Sequence, residues 1–526
     1  MVVTAWSGAS RLAYPASALA APQGSQPGAG GTVTATRSWP EAPASARAAM
    51  SMWGPRFAQQ AFHVTGRSVP TACPIRVGTD CSGMEAPLLS MRGLRLAHQH
   101  RFSSEIKPRV RKFIEMNFGS SAASASLRGD GVMISGDMLA RASEALPDVD
   151  LYVIGFPCTP FSRLRAGSSL GFREHAAKPF KKLLEVLRVK RPAVAVLENV
   201  QGIRSHLKKV WRMLAALKLY EVLTMSIDPF DMGEPVHRPR VYFLLVRVDV
   251  AVPDVDRVAA ALLAAVGPAE RRATVAERIL GPQAASAVVL QACQRRRPAQ
   301  SAALKRPAAA ITPAVASLQG RIGGGASHHS AASGKAKSTI PKWKQAHAQR
   351  AVAGAVPSNL PGATERQRSL HGILVKEAAM RGGGGSSRHT VDLSQGVTRT
   401  RLLNDELPVI TPGGKVWIAE QQRWLTGIEK ILVHMVPISS LTWPADLTDA
   451  DLAEMGGNSM HVMAVRASAD CRINRSNSRV GHGSRTAASW QHELDQMQNV
   501  SHGSSSVVTN GSISPCVRGA SVSVCI

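Results

Sequence analysis

The chain has 526 residues, with 63 Lys/Arg against 36 Asp/Glu, a formal net charge of +27, 44 Gly, 32 Pro and only 5% aromatic residues. That length allows two or three average domains, but a compact core cannot use all of so Gly- and Pro-rich a sequence. The positive excess favours a polyanionic partner such as nucleic acid, and no apolar run approaches the ~20 residues that span a bilayer.

Residues 1–70 are of low complexity, and little structure is expected there. The first 50 residues are rich in Ala and Ser and hold one acid, Glu41. They read as a disordered extension, with an organelle transit peptide as the alternative. From Ile75 to about Val250, strand-length apolar runs alternate with amphipathic stretches of helix length. "IRVGT" (75–79), "LYVIG" (151–155) and "AVAVLE" (193–198) read as buried parallel strands, and "VYFLLVRV" (241–248) is the longest such run. "PFKKLLEVLRVK" (179–190) and "SHLKKVWRMLAALK" (205–218) carry helix spacing, with Leu183, Leu184 and Leu187, and Val210, Met213, Leu214 and Leu217, gathered on one side each. This alternation predicts an α/β sheet with helices on both faces.

After Val250 the pattern decays. Residues 251–290 allow one or two Ala-rich helices, and residues 291–390 hold 16 Lys/Arg against Glu365 and Glu377. "QRRRPAQSAALKRPAAA" (294–310) reads either as a two-part basic import signal or as a generic basic linker. "RGGGGSS" (381–387) is a flexible composition. Order is expected again between Val391 and Val465, and the Ser-rich stretch 467–526 reads as a tail. Seven cysteines, Cys73, Cys81, Cys158, Cys293, Cys471, Cys516 and Cys525, form no CxxC pair, so neither a zinc site nor a disulfide framework is expected.

Four loops carry unusual side chains at predicted strand ends, where open α/β sheets bind ligands. "GTDCSGMEAP" (78–87) joins strand to helix, and Gly83 permits close backbone approach; a plain turn explains it as well. "GFPCTPFS" (155–162) clamps Cys158 between Pro157 and Pro160, near a helix start and near Arg163 and Arg165. Such a setting lowers a thiol pKa and favours the nucleophilic thiolate; the alternative is a buried structural cysteine. In "LENV" (197–200), Glu198 ends an apolar strand, where burial would raise its pKa and let it donate a proton, unless it is an N-cap or ion-pair acid. In "HRPRVYFLLV" (237–246), Arg238 and Arg240 lie two apart at a strand start, on one face, suited to a base edge or a phosphate, or else to solvent.

Taken together and in this order, the four loops resemble the cytosine-C5 DNA methyltransferase family. "RWLTGIEKI" (423–431) and "GGNSMHVMAV" (456–465) resemble its two C-terminal motifs, the last of which returns to complete the donor pocket. The matching stretches are 75–248 and 423–465. The resemblance implies a Rossmann-like S-adenosylmethionine methyltransferase sheet, with a small, poorly ordered target-recognition region. The expected division is a disordered extension (1–70), a catalytic core (71–250), a basic insertion with a reduced target-recognition region (251–414), the C-terminal part of the core (415–466) and a tail (467–526).

The resemblance also implies a mechanism. Cys158 attacks C6 of a flipped cytosine, Glu198 protonates or hydrogen-bonds N3, C5 takes the methyl group of S-adenosylmethionine, and loss of the C5 proton expels the thiolate. Arg240 holds the base oxygen and Arg238 supports its loop. Ser82 and Gly83 lie along the methionine end of the donor, Glu105 binds its ribose hydroxyls, Asp137 contacts the adenine amine, and Asn458 and Ser459 close the pocket, with Asp80, Cys81 and Pro157 completing the cofactor-binding set. Departures from the family pattern are Cys81 for an aromatic residue, Glu85 and Ala86 for glycines, Thr159 and Val236 each for Gln, and "VHMVPI" (433–438) for a Gln-Gly-Phe-Pro turn. Within the insertion only 391–418 looks foldable, so weak sequence selectivity is expected, supplemented by phosphate contacts from the basic segment. A DNA methyltransferase is the leading expectation. A transfer-RNA methyltransferase of the same family and a catalytically inactive nucleic-acid-binding relative are the alternatives; a thiol hydrolase lacks a convincing His partner. DNA is the expected partner, with RNA the alternative, as a monomer without membrane contact. The expected location is the nucleus, with plastid or mitochondrion as the alternative.

Overall fold

The computed structural model describes residues 36–65, 74–119, 131–162, 171–251, 272–294, 341–350, 352–381 and 387–469. The apolar runs become strands β2 (Ile75–Asp80), β3 (His98–Ser104), β4 (Met133–Ser135), β5 (Leu151–Ile154), β6 (Val194–Val200), β7 (Tyr220–Ile227) and β8 (Arg240–Arg247); β1 (Thr36–Arg37) precedes them. They form one seven-stranded sheet in the order β4-β3-β2-β5-β6-β8-β7. All neighbours are parallel except β8, which runs antiparallel to both β6 and β7. The 241–248 run, expected to be parallel like the others, is therefore the reversed strand.

Side chains two apart share a face of the sheet. Val77, Val153, Val196 and Leu244 face one core, built with α1 (Ala44–Thr65), α2 (Ala86–Gly93) and α3 (Pro108–Phe118). Tyr152, Ile154, Leu197 and Phe243 face the other, built with α4 (Lys178–Lys190) and α5 (Leu207–Ala215). In α4 the stripe Phe180, Leu183, Val186 and Leu187 is buried, as its spacing predicts, and Leu184 is only half-buried beside it. Helices on both faces leave the strand ends as the open edge.

The insertion is more ordered than expected. It carries α6 (Pro282–Gln294), α7 (Lys342–Gln349), α8 (Glu365–Met380) and the strands β9 (His389–Asp392) and β10 (Leu403–Asn404); β11 (Val416–Ile418) and β12 (Arg423–Trp424), beyond the expected boundary at 414, complete an antiparallel sheet of order β10-β9-β11-β12. One start signal was in plain view. Thr364 and Gln367 form a capping box at the head of α8, and Leu370 and Leu374 one turn apart bury against Val391 and Trp417. Sparse apolar residues on a basic background hid that stripe. The expectation of weak selectivity rested on a small recognition element and loses that basis. The basic stretch 295–340 and the tail from 470 lie outside the described residues.

The chain then returns to the first core through α9 (Gly427–Leu432), β13 (Trp443–Pro444), α10 (Asp449–Asn458) and α11 (Val462–Ala469). The Ser90 hydroxyl of α2 donates to the Val462 carbonyl at 2.8 Å, seating α11 on the first helix of the sheet. Residues 36–65, assigned to a disordered extension, are ordered as well. β1 pairs antiparallel with β13, Trp39 meets Trp443 edge-on with ring centres 6.3 Å apart, and the Arg37 guanidinium lies 3.6 Å from the Trp39 ring centre. The partners are some 400 residues apart, which no local pattern displays. Residues 1–35 lie outside the described residues.

Trp443 is fully buried, packs tilted against Phe113 with ring centres 4.7 Å apart and donates its indole N–H to the Ile438 carbonyl at 2.9 Å. Trp443→Ala should therefore cost about 3–5 kcal/mol in urea unfolding of the whole chain. A loss below about 1 kcal/mol would show that the cavity collapses or that the aromatic junction is not a stability centre.

Candidate active site

The reversed strand decides the site. Because β8 runs against β6, its first residues lie at the edge where β2, β5 and β6 end: Arg240 pairs across from Val200, and Tyr242 from Glu198. The Arg240 Nε donates to Glu198 Oε1 at 2.9 Å, with both side chains about nine-tenths buried. A carboxylate at the end of an apolar strand needs a partner, and here it has a guanidinium. Glu198 Oε2 also approaches Gly155, the first residue beyond β5: an added Cβ there would lie 3.3 Å from Oε2, 3.2 Å from the Cys81 carbonyl oxygen and 2.5 Å from Met460 Cε. One glycine thus meets three of the other motifs, which join at a single edge.

Cys158 follows on the same loop. Phe156 and Phe161 anchor the loop from both sides in the second core, the Phe161 N–H closes a turn on the Cys158 carbonyl at 2.9 Å, and Asn199 Nδ2 donates to the Phe156 carbonyl at 3.0 Å. The cysteine itself is exposed. Its thiol stands above its ordinary pKa: lost solvation around the sulfur is the main cause and the Glu198 carboxylate adds to it, while Arg240 and Arg238 pull the other way. The expected depression by a helix start and nearby arginines is not found. The helical turn that follows is only Thr159–Phe161, and Arg163 and Arg165 lie outside the described residues.

Arg238 is buried rather than poised over the edge. It donates to the carbonyls of Ile410 at 3.2 Å, Gly457 at 3.3 Å and Ser459. Burial and the neighbouring Arg240 charge push its pKa down to about 9, still protonated at neutral pH. Its geometry is that of a tie between the 233–240 loop, the insertion and the C-terminal loop. The same loop forms a parallel bridge from Val236 to Leu407, with Leu407 N–H donating to the Pro235 carbonyl at 2.6 Å and His237 N–H to the Leu407 carbonyl at 2.9 Å. Further along, Arg278 and Glu234 make a buried two-point pair at 2.6 and 3.1 Å. Glu429 of the "RWLTGIEKI" motif caps α9, pairs with Arg423 and accepts from the Leu280 N–H at 3.0 Å.

The proposed donor residues divide into two groups. Gly83 has φ +62°, which glycine adopts without strain, and its missing Cβ faces the Asn458 carbonyl oxygen at 3.7 Å and Ser459 Cα at 3.8 Å. The first and last motifs therefore do meet. Glu105, half-buried just past β3, and Asp137, exposed past β4, put two carboxylates on the same edge; burial pushes Glu105 up, and Asp137 accepts from the Leu139 N–H at 2.9 Å. Pro157 and Cys81 are half-buried, and Asn458 is exposed. Asp80 is different: fully buried, it accepts from Ser104 at 2.5 Å and Tyr152 at 2.7 Å and pairs with Arg141. Its carboxylate is spent on the fold, and burial holds its pKa up against those partners. Ser82 is buried and donates its hydroxyl proton to Glu85 Oε1 at 2.8 Å; Ser459 is buried, with its hydroxyl on the Met460 carbonyl at 2.9 Å. The Asp80 carboxylate and the Ser82 and Ser459 hydroxyl protons are thus engaged within the protein.

Sequence reasoning missed the roles of four residues here. Asn199 locks the cysteine loop, and its place beside Glu198 in "LENV" was the available signal. Arg141 and Tyr152 hold Asp80, with no local signal. Glu85, noted only as a departure, is fully buried at φ 59° and takes the hydroxyls of Thr79 at 2.8 Å, Ser82 at 2.8 Å and Ser103 at 2.6 Å on one oxygen. It substitutes a hydrogen-bond hub for glycine flexibility in the donor loop.

The Glu198 carboxylate raises the Cys158 thiol pKa, so neutralising it should lower that pKa. Glu198→Gln is expected to shift the pH profile of Cys158 alkylation, followed by mass spectrometry of its peptide, to lower pH. An unchanged or upward-shifted profile would separate the two groups.

Residues 81–306 match the family model for C-5 cytosine-specific DNA methylase. The chain is similar to the type II methyltransferase M1.ScrFI of Lactococcus lactis subsp. cremoris, 32% identical over 148 residues, 27% of this chain and 34% of that protein. It is similar to the type II methyltransferase M.NgoBI of Neisseria gonorrhoeae, 33% identical over 147 residues, 27% of this chain and 42% of that protein. The chain thus spans less than half the length of these curated relatives. The crystal structure of S. pombe Dnmt2 methyltransferase aligns over 75% of this chain and 97% of that one, at 13% identity and a TM-score of 0.39, too low to support an inference. Cys158, Glu198 and Arg240 converge inside this matched segment, so the part of the chain that resembles C-5 cytosine-specific DNA methylases is the part that builds the site.

Proposed function

We propose that the protein methylates C5 of cytosine in DNA, using S-adenosylmethionine. The observation that carries this reading is the Glu198–Arg240 pair at 2.9 Å, at the same strand edge as the exposed Cys158, whose thiol both groups influence. A thiol, a carboxylate and a guanidinium are the three groups that addition to a pyrimidine ring calls for. The Cys158 sulfur bonds to C6. Glu198 faces N3 and Arg240 faces the base oxygen, offsetting charge that builds in the ring. Loss of the C5 proton after methyl transfer restores the ring double bond and expels the thiolate. The base leaves its stack to reach this edge, at a cost of a few kcal/mol. Since the free thiol stands above its ordinary pKa, thiolate is scarce until the base and its contacts are in place.

The edge fits a nucleoside-type methyl donor. Gly83 leaves room where a Cβ would lie against the Asn458 carbonyl, and Glu105 and Asp137 offer carboxylates to hydroxyl and amino groups. Glu105 would hold the ribose hydroxyls, Asp137 the adenine amine, and the Gly83 and Asn458 backbone the methionine end. When bound, S-adenosylmethionine supplies an electrophilic methyl group. The antiparallel sheet and helices of 272–424 stand beside the arginine loop and serve, in this reading, to recognise DNA around the target base. The +27 net charge supports phosphate contact, and the basic stretch 294–310 supports a nuclear location. Among the described residues, no helix is long and apolar enough to cross a membrane.

Labelled donor offered separately with DNA and with transfer RNA tests the reading. Transfer to DNA is expected, and Cys158→Ser should reduce it to background while donor binding by calorimetry persists. Transfer confined to RNA would overturn the substrate, an undiminished Cys158→Ser would remove the thiol from the chemistry, and absence of donor binding would favour a non-catalytic role.

A further inference from the structure

The residue between the bridge at Val236 and the tie at Arg238 is His237. Its ring stacks on Phe230, with centres 3.9 Å apart and planes 24° apart, and the Arg272 guanidinium lies 3.5 Å from the centre of the same phenyl ring. One ring nitrogen, Nε2, is 3.1 Å from Glu406 Oε2; the other, Nδ1, is 3.5 Å from Asp228 Oδ2. These carboxylates come from different units: Asp228 follows β7 of the large sheet, and Glu406 follows β10 of the insertion. A neutral imidazole has one N–H and one lone pair, so it can serve only one carboxylate and repels the other. Two carboxylates on two nitrogens call for the doubly protonated ring.

We propose that His237, as an imidazolium held between Asp228 and Glu406, is a positioning residue that couples the target-side sheet to the arginine loop of the active site, and that this coupling weakens as the ring loses its proton. The inference rests on the methyl-transfer reading for its consequence, though not for the bridge itself. Asp228 links the bridge to the arginines: its Oδ1 accepts from the Arg238 N–H at 2.7 Å and the Phe230 N–H at 3.2 Å, while Oδ2 faces His237. The surrounding charges are consistent with a cation. Asp231 also lies near the ring, Arg272 lies 3.7 Å from Glu406, and Arg238 is occupied by three carbonyls. Three acids thus face one imidazole and one guanidinium. The Asp228 and Glu406 contacts raise the imidazole pKa above its ordinary value, against partial burial. The sign follows: the bridge is complete below that raised pKa and is lost as the pH rises through it.

The test compares the full chain with His237→Gln from about pH 6 to about pH 9, which extends above the range of about pH 5 to 8 where an ordinary imidazole titrates. Hydrogen exchange at the Leu407 and His237 amides, corrected for intrinsic rate, reads the bridge directly. Wild-type protection should fall with rising pH, and His237→Gln should be low and flat. In methyl transfer to DNA, the wild-type to variant ratio of kcat/KM should be largest at low pH, several-fold, and approach one at high pH; titration of Cys158 cancels in that ratio. Protection that is equal in the two proteins, or a ratio independent of pH, would overturn the proposal. If wild-type protein transferred no methyl group at any pH, the functional reading would fall, while amide protection would still decide the bridge.

Discussion

The active edge depends on one strand running the wrong way. Had β8 followed the parallel rule of its neighbours, Arg240 would lie at the opposite end of the sheet from Glu198 and Cys158. Reversal places the start of β8 beside the end of β6, and seven register pairs from Val194–Val246 to Val200–Arg240 fix it there. The Glu198–Arg240 pair then removes two charges from water at a site already walled by Tyr242 and Met460. Such a pair contributes little net stability when buried, because desolvation offsets attraction. Its persistence in a fold that apolar residues could close is an argument for chemistry at that point rather than for stability.

Around that edge the chain uses main-chain carbonyls as fastening points. Arg238 reaches Ile410, Gly457 and Ser459; Lys430, nearly fully buried, donates to the Gly414 carbonyl at 2.7 Å; Arg423 takes the Leu280 carbonyl at 2.8 Å. Arg238 and Arg423 join segments more than a hundred residues apart, and Lys430 ties the helix of the C-terminal return to the 411–414 turn. Truncating one would remove the donor to these carbonyls, so the two arginines and the lysine hold the unit together while contributing to the positive charge that reads, from composition, as a nucleic-acid signal.

Much of the site was legible because strand ends carry chemistry in α/β sheets. Cys158, Glu198, Arg240, Gly83, Glu105 and Asp137 all lie on one edge, as the order of motifs implied. What sequence did not disclose was occupancy. Asp80 and Ser82 sit in the right loop, but Arg141, Tyr152 and Glu85 already engage them, and such partners are set by tertiary contact alone. The thiol was misread for a similar reason: two downstream arginines suggested a depressed pKa, whereas lost solvation and Glu198 prevail. Strand direction was invisible because a doubly buried strand has the same apolar run either way. Residues 36–65, 341–350 and 352–381 escaped because their order rests on a few aromatic or aliphatic contacts in Ala-rich or basic surroundings.

The central claim is that Cys158, Glu198 and Arg240 act on a single cytosine. Replacing the C5 hydrogen of the target base by fluorine tests it most directly, since fluorine cannot depart as a proton does and the thiolate then cannot be expelled. With donor and DNA containing 5-fluorocytosine, the account predicts a denaturation-resistant complex whose bond maps to the Cys158 peptide, and whose formation falls sharply in Glu198→Gln. A chain that methylates ordinary DNA yet forms no such complex, or forms it at another cysteine, would contradict the account.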